Sequence, residues 1–546
     1  MTPKELRDLG ENLFQKKGAL NSLHQDIADQ FYYERADFTY KRSVGMDFAA
    51  NSYTSYPAMC RRDLGNAFGA MLRPTSKVWF HTGIRNRTVN DNETRQFLQA
   101  FEETQRRAMY DPITKFTRAT KEGDHDFAAF GQCAISIEMN RNADGLLYRC
   151  WHLRDMAWQE NEEGEIGARF RRWKPTAQQM VRTFGMEKCH PDIVKANGVE
   201  PFKECAVMHM VVEADMYDGK TSRPYWSCFY DTEHDCVVDA EPIWTGYYRI
   251  PRWQTVSGSQ YAYSPATVCA LPDARLIQAM TFTLLEAGEK ATNPPMIATI
   301  DAVRSDVAIY ARGITWVSDE YDERMGEAIR PLSQDFRGIQ FGLQMNADAR
   351  AMIHKAFFLD ALTMPQRDSE RTTAFEVAQR VQTYIREAQP IFEPTEMEYN
   401  AGICEDTFTL LWRNGAFGSP LDWPRSLRDA DIGFTFESPL HDVIEKQKGQ
   451  VFLEGGQLLS AALAIDPTVV NIVDGKIAFR DVLDGIGWPG KWMRNEADVA
   501  AIDQEQAKKA AAATMLAAIE QGASAAKDLG SAHADMAAAQ PAMAAA

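Results

Sequence analysis

The apolar residues of this chain change period twice, and that change limits the fold more than any other feature. Outside residues 127 to 252 they recur at helical spacing; inside, they alternate. Cys133, Ile135 and Ile137 alternate with Ala134, Ser136 and Glu138, the period-two signature of a half-buried strand. Asn142-Ala143-Asp144-Gly145 is turn chemistry, and Leu146 to Trp151 supplies the returning strand. A second hairpin is expected at Glu162-Glu163-Gly164. Further strands are expected at Cys205 to Val212, Tyr225 to Tyr230 and Trp244 to Arg249. One short helix interrupts, with Thr176 as N-cap, Gln179 at the capping-box position and Gly185 ending it. The expected fold class is α+β, with a mostly antiparallel sheet set between helical regions.

The flanks read as helices. Thr2 and Glu5 form a capping box with Pro3 in the first turn, and Leu6, Leu9, Leu13, Leu20, Leu23, Ile27 and Phe31 follow at helical spacing, interrupted at Gly18. A second helix is predicted from about Ala58 to Leu72, stopped by Arg73-Pro74. Val78-Trp79-Phe80 reads as a short strand, and a helical pattern from Glu93 to Lys121 breaks near Asp111-Pro112. Beyond the sheet, Leu276, Ile277, Met280, Leu284, Leu285 and Ala287 mark an amphipathic helix over 273–291 that ends before Asn293-Pro294-Pro295. About fifty residues follow, including the apolar run Ile314-Thr315-Trp316-Val317. Ala349, Met352, Ile353, Phe357 and Leu359 then mark a second helix, stopped before Pro365. The polar link Gln366-Arg367-Asp368-Ser369-Glu370-Arg371 leads to a third, capped by Thr373 with Glu376. A strand at Ile432 to Phe436 precedes further helices. The alanine-rich stretch from Ala497 is either a helix that needs neighbours or a frayed tail.

Composition narrows the function classes. With 546 residues, two or more packed units are expected. The 59 Lys and Arg face 76 Asp and Glu, a net charge of −17, which argues against a protein that grips nucleic acid non-specifically. Nine cysteines form no C-x-x-C pair, which fits free thiols in a reducing, cytoplasm-like interior. The N-terminus is polar and no stretch holds roughly 18 uninterrupted apolar residues, so neither a secretory signal nor a membrane span is expected.

Candidate chemistry is sparse. No phosphate loop, nucleophile elbow, zinc helix motif or dinucleotide fingerprint occurs. Cys228, His234 and Cys236 fit no standard zinc spacing and read as structural. Gly123-Asp124-His125-Asp126 could be drawn as an acid/base cluster but reads as solvated surface, because neighbouring positions point different ways. Arg169, Arg171, Arg172 and Lys174, interleaved with Phe170 and Trp173, resemble a nucleic-acid stripe. In a strand, Arg169, Arg171 and Trp173 share one face and Phe170, Arg172 and Lys174 the other, so an exposed sheet face or a subunit contact is the expected reading. No catalytic residue, metal or cofactor is expected.

Several stretches, in order, resemble the head-to-tail connector, or portal, proteins of short-tailed bacteriophages. They are Leu64 to Pro74 with Trp79-Phe80; Phe130-Gly131-Gln132-Cys133-Ala134; and Arg169-Phe170 with Thr176 to Val181 and Phe184-Gly185. Ala270 to Leu276, Glu289 to Pro295, and Thr372 to Val377 with Arg380 complete the set. The resemblance spans roughly residues 5 to 490. It implies a portal-like fold: wing over 1–272, stem helix 273–292, clip 293–345, second stem helix 346–362 and tunnel loop 363–372. A long wing helix and returning strand would follow over 373–440, a crown over 441–496, and a helical barrel or frayed tail over 497–546. Leu276, Ile277, Met280, Leu284, Met352, Ile353 and Phe357 would belong to stem helices lining a ring's channel, and Gln366, Arg367, Asp368, Ser369, Glu370 and Arg371 to its narrowest loop. It further implies a non-enzymatic ring of twelve in the virion, assembled in the host bacterial cytoplasm. Terminase, tail adaptors, capsid and scaffolding proteins would be its partners, with double-stranded DNA in weak, sequence-independent transit and no membrane. A tail or capsid adaptor that never encloses DNA is the alternative, and two amphipathic helices are also an ordinary antiparallel core pair.

Overall fold

The computed structural model describes residues 1–41, 45–47, 52–75, 78–85, 92–298, 329–331, 338–362, 395–428, 430–436, 455–460, 475–485 and 501–515, with isolated or paired residues between them. In chain order the elements begin with α1 (Pro3–Lys16), α2 (Gly18–Phe31), α3 (Tyr56–Leu72), β1 (Phe80–Ile84), α4 (Asn92–Met109) and α5 (Phe116–Phe130). The strand-rich region follows: β2 (Ala134–Met139), β3 (Leu146–Trp151), β4 (Met156–Glu160), β5 (Ile166–Trp173), α6 (Ala177–Phe184), α7 (Pro191–Val199), β6 (Val207–Glu213), β7 (Tyr225–Asp231) and β8 (Cys236–Ile243). Three two-residue strands, β9 (Tyr248–Arg249), β10 (Gln254–Thr255) and β11 (Ala262–Tyr263), close it. Then come α8 (Pro265–Thr292), β12 (Met296–Ala298), β13 (Ile329–Pro331), α9 (Gly338–Ala356) and α10 (Leu359–Leu362). A π-helical turn at Thr395–Asn400, α11 (Ala401–Arg413), β14 (Ile432–Phe436) and α12 (Gly475–Gly485) follow, and residues 455–460 and 501–515 are also helical.

The chain divides into a larger unit, residues 1–80, 104–417 and 434–443, and a smaller one, residues 81–103, 418–433 and 444–546. In the larger unit the strands β4 to β8 form a five-stranded sheet in sequence order, and β3, β2 and β9 form a second sheet. The pairings within both are antiparallel, as the alternation requires. Pleating gives the five-stranded sheet two different faces. One carries Ala157, Ala168, Phe170, Met208, Met210, Val212, Cys228 and Tyr230, packed under Leu6, Leu13 and Phe14 of α1. Two of the three predicted capping boxes are present, Thr2 with Glu5 on α1 and Thr176 with Gln179 on α6; the third, Thr373 with Glu376, lies outside the described residues. Within the smaller unit, Trp423 packs on Phe101 at 4.9 Å, and Thr94 and Ser426 share a hydroxyl hydrogen bond of 2.6 Å.

Several boundaries differ from the sequence expectation. The strand expected at Val78-Trp79-Phe80 begins only at Phe80, because Trp79 is instead buried as a side chain, its Nε1 donating to the Tyr110 hydroxyl at 3.0 Å. The strand expected from Trp244 to Arg249 shrinks to β9, and β8 takes the place beside β7. Its sequence, CVVDAEPI, hides the alternation behind Pro242, a residue that suits an edge strand because it donates no ladder hydrogen bond. The reading of a polar, exposed Gly123–Asp126 is also corrected. Asp124 and Asp126 are buried on α5, where each takes an arginine: Arg73 for Asp124, and Arg35 for Asp126 at 2.7 Å. Burial, against the pull of Arg73, holds the Asp124 carboxyl above its ordinary value. His125 accepts from Arg61 at 3.0 Å; burial first and Arg61 second push its pKa down to about 4. These are structural ion pairs that join α5 to α3 and to the turn after α2.

Candidate assembly site: the α8–α9 hairpin

The helix expected to start at Asp273 starts at Pro265 and runs through Pro272. Pro272 removes one amide and leaves the Val268 carbonyl without its helical donor, but Val268 is exposed and water can serve that oxygen. The start is firm. Ser264 caps the helix by accepting from Thr267 N, while its hydroxyl and that of Thr267 donate to the carbonyls of Ala128 and Ala129, both at 2.7 Å. One pair of side chains thus opens α8 and closes α5, satisfying orphaned groups at both ends. Ala266, Ala270, Leu271, Ala274 and Ile277 bury the first half of α8 in the larger unit.

The second half leaves that core and pairs with α9, whose direction is antiparallel. Gly342 lies where a Cβ would come 3.0 Å from Leu284 Cδ2, and one turn on, Asn346 donates to the Thr281 hydroxyl at 3.2 Å. A side chain at this position would press on Leu284, so the glycine suits the close approach of the two helices. Phe357, just past α9, packs against Phe31 of α2 at 5.4 Å, and Phe358 adopts a positive φ of 56° that separates α9 from α10. The second helix is thus broken at Phe357-Phe358 rather than continuous from Asn346 to Leu362, and it begins eight residues earlier, at Gly338.

The residues singled out on these helices divide into three groups. Ile277, Ile353 and Phe357 are fully buried within the chain, so they belong to its own core and are not free for a neighbour. Met280 and Leu284 are half-buried. Leu276 and Met352 are exposed. The sequence reading missed Phe282, Phe341 and Leu343, all exposed large apolar residues on the same hairpin. Their signal was available: Phe282 lies off the Leu276–Met280–Leu284 stripe, and a helix apolar on two sides is one that meets two surfaces. The sequence also undersells α8 as a candidate span. By length and composition it could cross a bilayer, a test that counting uninterrupted apolar residues fails to register; half of it is core helix here. The loop residues Gln366, Arg367, Asp368, Ser369, Glu370 and Arg371, the helix expected from Thr373 and most of the insertion around Ile314–Val317 lie outside the described residues.

The basic run is likewise not an exposed face. The strand alternation is as expected, but Arg169 and Arg171 are buried, and on the other face Arg172 pairs with Glu11 at 2.5 Å and covers the Phe14 ring at 4.0 Å. Cys228 lies in the core under α1, and His234 pairs with Asp231 at 2.6 Å. The structure brings His234 to His190 rather than to the cysteines, with rings stacked at 4.1 Å. Ligand atoms of His190, Asp192 and His234 lie within 4.8 Å of one another, but the Nδ1 atoms of both rings are engaged, that of His190 by Asp192 N in capping α7 and that of His234 by Asp231.

A class follows from these features: a mixed helix–sheet protein whose clamped helical hairpin carries large apolar side chains into solvent. Residues 3–493 match the family described as bacteriophage head to tail connecting protein, and the chain belongs to that family. Over 391 residues it is 24% identical to a probable portal protein of Bordetella phage BPP-1, covering 68% of this chain and 67% of that one. Over 276 residues it is 23% identical to the portal protein of Salmonella phage epsilon15; there the match spans about half of each chain, 47% and 48%. Among solved structures, a chain from the virion of a native gene transfer agent particle aligns with 79% of this chain and 94% of its own, at 9% identity and a TM-score of 0.36. The chain is a phage head-to-tail connecting protein and a component of the virion.

Proposed function

We propose that this protein is the repeating subunit of a closed ring, twelve copies by family resemblance, at one capsid vertex. DNA would be packaged and later ejected through its channel, and the ring would carry the tail. The observation that supports this reading most is the family match over residues 3–493 joined to the exposed apolar side chains of the α8–α9 hairpin. An apolar patch carried into solvent marks a surface that meets another protein, and in a closed ring each subunit offers such a surface to two neighbours. In this reading residues 1–272 are wing, 273–292 and 346–362 are stem, 293–345 are clip, and 363–372 form the tunnel loop with Arg367 and Arg371 nearest the duplex. Residues 373–440, 441–496 and 497–546 supply the long wing helix with its strand, the crown, and a barrel or tail. Terminase, tail adaptors, capsid and scaffolding proteins are its protein partners, and it performs no catalysis. A net charge of −17 per subunit suits a conduit that lets a polyanion slide.

Negative-stain images and mass measurement of purified protein test this directly. Expected are rings with a central hole wide enough for a duplex and a mass near twelve times the 61.5 kDa chain. A strict monomer under all assembly conditions would overturn the ring, and rings too narrow for a duplex would leave only the adaptor reading.

A further inference from the structure

The face of the five-stranded sheet opposite α1 carries two arginines on one strand, Arg169 and Arg171, each at least nine-tenths buried (6% and 4% exposed). Register places them on successive same-face positions of β5, opposite Val211 and His209 of β6, with backbones about 6.6 Å apart. Their flat faces are well covered. The Arg171 guanidinium lies 3.8 Å from the Trp151 ring centroid and 5.3 Å from that of Trp173, and the Arg169 guanidinium 5.2 Å from that of Tyr225. Their edges are not. Nε and Nη1 of both residues are buried without a hydrogen-bond partner, a tyrosine side chain serving each head elsewhere, Tyr225 for Arg169 and Tyr248 for Arg171.

No carboxylate among the described residues answers them. Asp406 is held by Arg249 at 2.8 Å, and Glu138 accepts from the Tyr247 hydroxyl. His209, the nearest imidazole, is engaged at both nitrogens, with Tyr248 at 2.6 Å and Ser227 at 2.9 Å, and burial keeps it neutral. Burial also pulls the Arg169 pKa down, but a guanidinium remains charged in a protein. The space beside Arg169 is built for its head: a Cβ at Gly246 would come 2.8 Å from Cζ and 2.9 Å from Nη1 and Nη2. Aromatic rings compensate a cation from above and below, but they offer no acceptor in its plane. A buried charge left with unmet donors is costly unless paired, and here two like charges share one face.

We infer that a small inorganic anion, of the halide or phosphate class, occupies the layer between the two sheets and accepts from one unpartnered N–H group, Nε or Nη1, of each of Arg169 and Arg171. A water molecule would satisfy the donors but add no countercharge, leaving Arg169 only the pull of Asp406, which Arg249 already holds; an anion supplies both. The site is internal to the larger unit and independent of ring formation.

Crystals of the full chain grown in sodium bromide test this by anomalous scattering. A bromide peak within hydrogen-bond distance of Nε or Nη1 of either arginine supports the site; the same position refined as water overturns it. In solution, protein exchanged into sodium gluconate, an anion too bulky to enter, is titrated at constant ionic strength with bromide or, separately, phosphate. A saturable rise in melting temperature of about 2–5 °C over two decades of concentration is expected for the occupying anion. A response to bromide alone assigns a monatomic site, and one to phosphate alone a tetrahedral one. No saturable response to either would overturn the inference. Arg171→Lys, which keeps the charge but removes the planar edge, should lower the apparent affinity at least tenfold. A variant that responds like wild type would place the ion elsewhere and sink the assignment.

Discussion

Lys17 stands at the joint between α1 and α2 with 1% of its surface exposed. Its ammonium donates to the carbonyls of Leu153 and Met156 at 2.7 and 2.8 Å, and lies over the rings of Trp158 and Tyr261. Burial brings its pKa from 10.5 down to about 7, against a weaker upward pull from Asp155. The folded value is the lower one, so between the two values the unfolded chain binds more protons and stability rises with pH. The cost of burying the charge is complete below about pH 7 and gone above about pH 10.5. Within that window the slope approaches about 1.36 kcal/mol per pH unit, so wild type should gain about 2–3 kcal/mol between pH 7.5 and 9.5. Lys17→Met removes the titration. It also orphans two carbonyls at about 1–3 kcal/mol each, which sets the variant's offset but not its slope. Urea unfolding of the full chain, followed by tryptophan fluorescence at both pH values, gives wild type minus variant. That difference should climb by about 2–3 kcal/mol, because other titrations cancel and His24, depressed by burial and by Lys17, stays neutral throughout. A flat difference would refute the reasoning: the carbonyls and rings would then hold the ammonium as well as water does.

Asp124→Asn should destabilise the larger unit by about 3–5 kcal/mol in the same unfolding assay, because it removes the carboxylate charge opposite the buried Arg73 guanidinium and leaves it neutral neighbours among the described residues, an amide oxygen, Asn400 and the Tyr399 ring. Phe357→Ala should cost about 3–5 kcal/mol, since the ring is fully buried against Phe31; a loss under 1 kcal/mol would mean the site collapses freely. Phe282→Ser with Leu285→Ser should leave the monomer's unfolding midpoint nearly unchanged, because both side chains are exposed, yet shift mass-photometry populations from rings to monomers. Rings at wild-type yield would remove the hairpin's second apolar side from the assembly surface.

What could be read from the sequence was whatever local physics fixes by itself. The alternation at Cys133–Glu138 and the turn at Asn142–Gly145 placed β2 and β3 correctly, and Thr2 and Thr176 announced their capping boxes. Tertiary context overrode the rest. The helix expected from Asp273 starts eight residues earlier, tied into α5 through Ser264 and Thr267, and that start was invisible to any local rule. Asp124 and Asp126 were polar residues on a helix and so were assigned to solvent, whereas their arginines come from Arg73 and Arg35, 51 and 91 residues away in sequence. Arg169 and Arg171 shared a face as alternation demanded, yet whether that face met water or a second sheet was decided by Trp151 and Tyr248. At the hairpin, apolar spacing found the stripe but could not divide it between Ile277, which the chain buries itself, and Phe282, which it leaves outside.

The double use of Ser264 and Thr267 makes α8 a beam fixed at one end. Its 28 residues span about 42 Å, of which the outer fifteen extend about 22 Å past the buried half. Over such an arm a tilt of about 5° at the clamp sweeps the far tip by about 2 Å, and a push at the tip returns to the clamp as torque on the last carbonyls of α5. Those carbonyls end the same helix that holds the Asp124 and Asp126 ion pairs. A load on the hairpin's outer end is therefore borne by the charged interior of the larger unit rather than by a loop.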